Sequence, residues 1–206
     1  MPRQFQFHAP TAAELDALIA DQQGKPLTYD RQTAPNSPRF DHDDNRVWLG
    51  SGDAVFAAAK VAMQNWAMFP GDWARIYHQN PQFTEGEVVV MCARIFGIWW
   101  LNAARILYVV DERDRFGFAY GTLPNHVESG EELFQIERDT VDEGNPDSFG
   151  MGSVYFRLKA FSHPRYWMLR LTYPLPRVFQ RRFIRASFEN MKKQTAQNLL
   201  VAQQKV

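Results

Sequence analysis

The period at which apolar residues recur changes several times along this chain, and each change marks a different element. In TAAELDALIADQQ, residues 11 to 23, Leu15, Leu18 and Ile19 make one stripe at helical spacing, which predicts a short amphipathic helix. Thr11 followed by Glu14 is the capping-box spacing that would start it. Pro26, Pro35, Pro38 and a run of acids then break any period, so 24 to 45 reads as a connector. RVWL at 46 to 49 predicts a short strand, and the GSGD overlapping its end supplies a Gly-rich turn with Ser51 or Asp53 as the cap of a second helix. Within that helix Val55, Phe56, Ala59, Met63 and Trp66 fall on one face and require a packing partner.

Beyond residue 72 the period shortens to two. WARIYHQ, EVVVMCARIFG, NAARILYVVD, RFGFAYGT, EELFQIER and MGSVYFRLKAF are six strand-like runs separated by short polar loops, which predicts an antiparallel meander. In the last run Val154, Phe156, Leu158 and Ala160 alternate with Ser153, Tyr155, Arg157 and Lys159, the pattern of a sheet buried on one face. In RFGFAYGT one face holds Phe116, Phe118 and Tyr120 and the other only Gly117, Ala119 and Gly121, so another element can approach closely there. After Pro174 and Pro176 the helical period returns. Phe179, Phe183, Ile184, Phe188 and Met191 share one side and Arg181, Arg182, Arg185, Lys192 and Lys193 the other. The order predicts an α+β helix-grip fold: a curved antiparallel sheet of about seven strands wrapped on a long C-terminal helix, with an extra N-terminal helix. Residues 1–45 would pack on a domain formed by 46–206, one domain overall, with room for a cavity between sheet and final helix.

Composition removes several function classes. Lys plus Arg and Asp plus Glu each number 23, so no net field draws the chain to nucleic acid. The arginines of RVFQRRFIRASF alternate with core-facing phenylalanines, which argues against a membrane or nucleic-acid surface there as well. A single cysteine, Cys92, excludes an internal disulfide, and its apolar strand neighbours predict an inert thiol. With no apolar run near the roughly 20 residues of a membrane span and no leader pattern, a cytoplasmic protein is expected.

The candidate chemistry lies in NHVESGEE, residues 125 to 132. His126 and Glu128 project to one side of an extended chain, as an acid/base pair or as ordinary loop groups. Two ligands without a third predict no metal site, and no cofactor is expected. Glu132, if it faces the interior, needs a cationic partner, and Glu131 must then face the other way. Arg94 and Arg105 fall opposite one another if a hairpin turn is centred between Trp99 and Trp100. An anionic ligand group, an internal Glu132 or Glu137, or solvent would then neutralise them. Tyr120, His163, Tyr166 and Trp167, with Phe179 and Phe183 of the last helix, would line a ligand cavity or serve as plain core.

A resemblance carries these readings further. Arg46, Leu49, Gly50, Gly52 and Phe56, then Trp66 and Phe69, the tract YVVDERDRFGFAYGTLPNHVESGEELF at 108 to 134, and FSHPRYW at 161 to 167 together resemble domain-of-unknown-function family 1990, grouped with the START-like helix-grip superfamily. The likeness runs from about residue 11 to about 192. It implies the helix-grip fold and no particular activity, since superfamily members include lipid carriers, cyclases and hydrolases. The expected function is therefore binding of a small hydrophobic or amphipathic molecule. The alternative is an enzyme of hydrolase, isomerase or cyclase type in which His126 and Glu128 or Glu132 move protons.

Overall fold

A computed structural model describes residues 4–139, 152–165 and 175–204. Helix α1, Ala12–Gln22, starts at a capping box: Thr11 Oγ1 accepts from the Glu14 amide at 3.3 Å, and Glu14 Oε2 accepts from the Thr11 amide at 2.8 Å. Strand β1, Phe5–Gln6, precedes it, and a 3₁₀ turn, Ala34–Asn36, follows it. Strand β2 spans Asp41–Ser51, longer at both ends than the four residues predicted, because the acids at 41 to 44 join a ladder with the last strand. Charged side chains suit such an edge strand, and Asp44 pairs with Arg157 at 2.6 Å.

Helix α2, Asp53–Gln64, corrects the predicted cap. Its N-cap is Gly52 at φ 89°, a conformation glycine adopts without strain, and no side chain caps it. Asp53 instead pairs with Arg138. Strands β3 (Ala74–Tyr77), β4 (Val88–Ile95), β5 (Ile98–Asp111), β6 (Arg115–Thr122), β7 (Glu128–Asp139) and β8 (Ser153–Pro164) follow, and helix α3, Leu175–Gln203, ends the described chain. All pairings are antiparallel, in the order β2-β8-β7-β6-β5-β4-β3, with β1 on the free margin of β5. The sheet is curled into a half-barrel against the C-terminal helix, a helix-grip fold.

Each face buries its own core. On the convex face, Leu15, Leu18 and Ile19 of α1 pack on Val88, Val90, Cys92, Leu101 and Ala103. The connector covers the bare side of β6: a Cβ added to Gly121 would stand 2.5 Å from Tyr29 Oη. On the concave face, Phe56, Met63, Trp66 and Phe69 meet Phe118, Phe134, Phe156 and Met191. Among the described residues, no helix is long and apolar enough to cross a membrane.

Candidate functional site

Along β6, β7 and β8, the concave side chains change from bulky and apolar to short or polar. On β6 the sequence of inward residues is Phe116, Phe118, Tyr120, Thr122, and on β7 it is Ile136, Phe134, Glu132, Gly130, Glu128. On β8 Val154, Phe156 and Leu158 give way to Ala160 and Ser162, and on β5 Ile106 and Ala104 give way to Asn102. Helix α2 covers the bulky half. Over the other half a cavity of ≈ 290 Å³ remains beneath the start of α3. Trp73, Ile95, Phe96, Trp100, Phe179 and Phe183 supply its apolar wall. Its polar wall holds Asn102, Tyr120, Thr122, His126, Glu128, Glu132 and Gln180.

Tyr120 and Glu132 stand directly opposite in the β6–β7 ladder, and Tyr120 Oη donates to Glu132 Oε2 at 2.5 Å. Burial raises the Glu132 carboxyl to about 7, with the charges of Glu128 and Asp43 adding to the rise and the tyrosine bond opposing it. Burial and the adjacent carboxylate push the Tyr120 phenol well above its ordinary value. Glu131 faces the convex side, accepting from Tyr29 Oη at 2.8 Å and pairing with Arg31 at 3.5 Å.

His126 is 6 % exposed and belongs to a tight turn whose amide donates to Leu123 O at 2.8 Å. The Glu128 amide donates to its Nδ1 at 3.0 Å, so the neutral ring carries its hydrogen on Nε2. Burial lowers its pKa to about 3 and the Arg165 guanidinium adds to the fall, while the Glu128 bond opposes it. His126 and Glu128 are thus joined through the main chain rather than by a shared proton. No group of three metal-ligating side chains occurs among the described residues.

The arginine pair is not a pair. The hairpin turn is Phe96–Gly97, with φ of 51° and 80° and Ile95 paired to Ile98, three residues before the predicted centre. Arg94 therefore faces Trp99 and is exposed, and Arg105 faces Val88 on the convex side. Arg105 Nη2 donates to the carbonyls of Gln22, Gln23 and Lys25 at 3.4, 2.6 and 2.9 Å, closing the C-terminal end of α1. An anion held between two arginines is thereby removed from the picture. His163 also lies outside the cavity, because its parity on β8 turns it to the convex side, edge-on to Phe40 at 5.5 Å. Tyr166 and Trp167 lie outside the described residues. Phe179 and Phe183 line the cavity, and Phe179 meets the hairpin-tip ring of Phe96 at 5.6 Å. Cys92 is buried on the convex side, where burial raises its thiol to about 11.

Sequence reasoning missed Asn102, Thr122, Gln180 and Asp43. Asn102, 2 % exposed, is a lone amide at inward parity in the apolar run NAARILY, and that signal was available. Gln180 donates to Asp43 Oδ2 at 3.0 Å, tying α3 to β2, a contact no local pattern could reveal.

The fold has a counterpart in a hypothetical protein from Helicobacter pylori, whose crystal structure matches with a TM-score of 0.52 at 12% identity, covering 82% of this chain and 96% of that one. A ginseng major latex-like protein gives a TM-score of 0.47 at 12% identity over 75% of this chain and 97% of its own. Among curated relatives, a UPF0548 protein of Dictyostelium discoideum is 34% identical over 94% of this chain and 97% of its own length. Another UPF0548 protein, from Deinococcus radiodurans, is 35% identical over 86% of this chain and 92% of its own length. The model of the family described as "Domain of unknown function (DUF1990)" matches residues 25–190, and the chain belongs to that family.

Proposed function

We propose that the protein binds a small, mostly apolar molecule in the cavity between the concave sheet and the start of α3. The observation that carries this reading is the cavity itself: ≈ 290 Å³ walled on one side by aromatic rings and on the other by buried polar groups. Ligand sites are built this way, with an apolar body and a few polar groups that fix orientation, and the volume sits at the small end of their range. The polar wall presents carboxyls where an acidic ligand end beside Arg94 or Arg105 was expected, so no such end is proposed. Native mass spectrometry of the purified protein offered small aromatic probes tests the reading. One bound probe per chain is expected, and Ala93→Phe, which fills the apolar wall, should remove it. Equal binding by Ala93→Phe, or none by either protein, would refute a cavity site.

A second reading, acid–base catalysis in the same cavity, has one observation in its favour. A carboxyl near 7 exchanges protons most effectively at neutral pH. In that reading Glu132 moves the proton and neutral His126 donates a hydrogen bond. Turnover of a bound carbonyl compound lost in Glu132→Gln would support it, and unchanged exchange of its α-protons would remove it.

A further inference from the structure

The polar wall has an unmet hydrogen-bonding demand that specifies a ligand. Glu132, half-buried, faces inward, where a carboxyl rarely stands without a cation. Among the described residues its hydrogen-bond partner is Tyr120 Oη on Oε2, and its other oxygen has none. It makes no ion pair, and no Lys or Arg lines the cavity among the described residues. Among the described residues, the titratable groups that act on it are Tyr120 from β6, Glu128 from β7 and Asp43 from β2, and α3 contributes the neutral Gln180. Two of these are acids, which disfavour a second negative charge. Below about pH 7 the carboxyl is therefore the neutral acid, with Tyr120 donating to one oxygen and the proton on the other. His126, 6 % exposed and lining the same cavity, adds a second donor, because Nδ1 is occupied by the Glu128 amide and Nε2–H has no partner among the described residues.

Resting on the cavity reading above, we infer that the site selects a ring-bearing apolar molecule whose polar group is a neutral oxygen acceptor, a ketone, ester or hydroxyl, rather than a carboxylate or an amine. Glu132 O–H donates to that oxygen, and Tyr120 holds the carboxyl in place. His126 Nε2–H serves a second oxygen or an ordered water. A ligand carboxylate would meet Glu132 and Glu128 on the same wall, and an amine, an ammonium at pH 6, would have to shed its hydration and displace the Glu132 proton into solvent before pairing with it.

Four probes with one naphthalene body separate the possibilities: 2-acetylnaphthalene, 2-naphthol, 2-naphthoate and 2-(aminomethyl)naphthalene. Calorimetric titration at pH 6 should rank the ketone and the naphthol at least about 10-fold above the other two, as expected when a buried polar group is left unpaired or faces like charge. With the carboxyl titrating near 7, ketone binding should weaken about 10-fold between pH 6 and pH 8 as the donor is lost. Glu132→Gln keeps a donor of the same shape, so it should retain ketone binding within about 3-fold and lose the pH dependence. Glu132→Leu should lose about 10-fold while still binding. Tightest binding of the amine or the naphthoate, or a ketone affinity independent of pH with Glu132 intact, would overturn the inference while leaving the cavity reading in place. Failure of all four probes to bind would overturn both.

Discussion

The concave face of this sheet is finished in two ways. In one half, α2 and the later turns of α3 bring Phe56, Met63, Trp66 and Met191 down onto Phe118, Phe134 and Phe156 in one buried cluster. In the other, the sheet presents Ala93, Thr122, Gly130, Ala160 and Ser162, and the start of α3 roofs them. The backbone ladder is continuous across both, so side-chain size decides which half is core and which is cavity. Polar groups follow the same division. Tyr120 stands at the boundary, with its ring against Phe134 and its hydroxyl on Glu132.

The largest difference should come from one residue type removed in each half. Phe134→Ala, from a fully buried ring stacked on Phe118, should cost about 3–5 kcal/mol of stability by denaturant unfolding. Phe183→Ala, from a half-buried ring that already borders empty space, should cost about 1 kcal/mol, because fewer contacts are lost there. Equal costs would erase the distinction. The converse substitution follows next. Ala59→Phe in the filled half should cost about 1–3 kcal/mol or more through overpacking, whereas Ala93→Phe at the cavity should change stability by under about 1 kcal/mol.

The pH dependence of stability is a smaller effect with two opposed parts. Glu132 is raised from 4.5 to about 7, so its contribution is complete below 4.5 and lost as pH rises through 7. His126 is lowered from 6.5 to about 3, so its contribution is complete above 6.5 and lost as pH falls toward 3. Unfolding midpoints of Glu132→Gln should therefore decline less between pH 5 and pH 8 than those of the parent protein, and parallel curves would contradict the assignment. Smallest of all, Arg105→Ala should cost about 1 kcal/mol through the lost carbonyl contacts at the end of α1. Probe binding should be untouched, and weakened binding would return Arg105 to the site.

How much of this was legible in the chain follows from how local each cause is. Capping by Thr11 and Glu14, the alternation in SVYFRLKA and the bare side of β6 depend on neighbours a few residues apart, and the structure shows all three. The Phe96–Gly97 turn was missed because two positive φ values usually call for Asn or Gly, and phenylalanine signals strand. That three-residue displacement moved Arg94 and Arg105 out of register together. His163 failed for a related reason: strand parity on β8 becomes definite only once its ladder with β7 is known. The inward orientation of Glu132 depended on the same parity, and its tyrosine partner on a cross-strand pairing between β6 and β7. The gradient from large to small residues was present in β6, β7 and β8. It becomes meaningful only when the strands are laid side by side.

Crystals pressurised with xenon would test the central division most directly, since the gas enters apolar voids and spares filled cores. A xenon atom is expected among Ala93, Trp100 and Phe183, and none among Phe118, Phe134 and Phe156. An empty first site, or comparable occupancy in both, would contradict it.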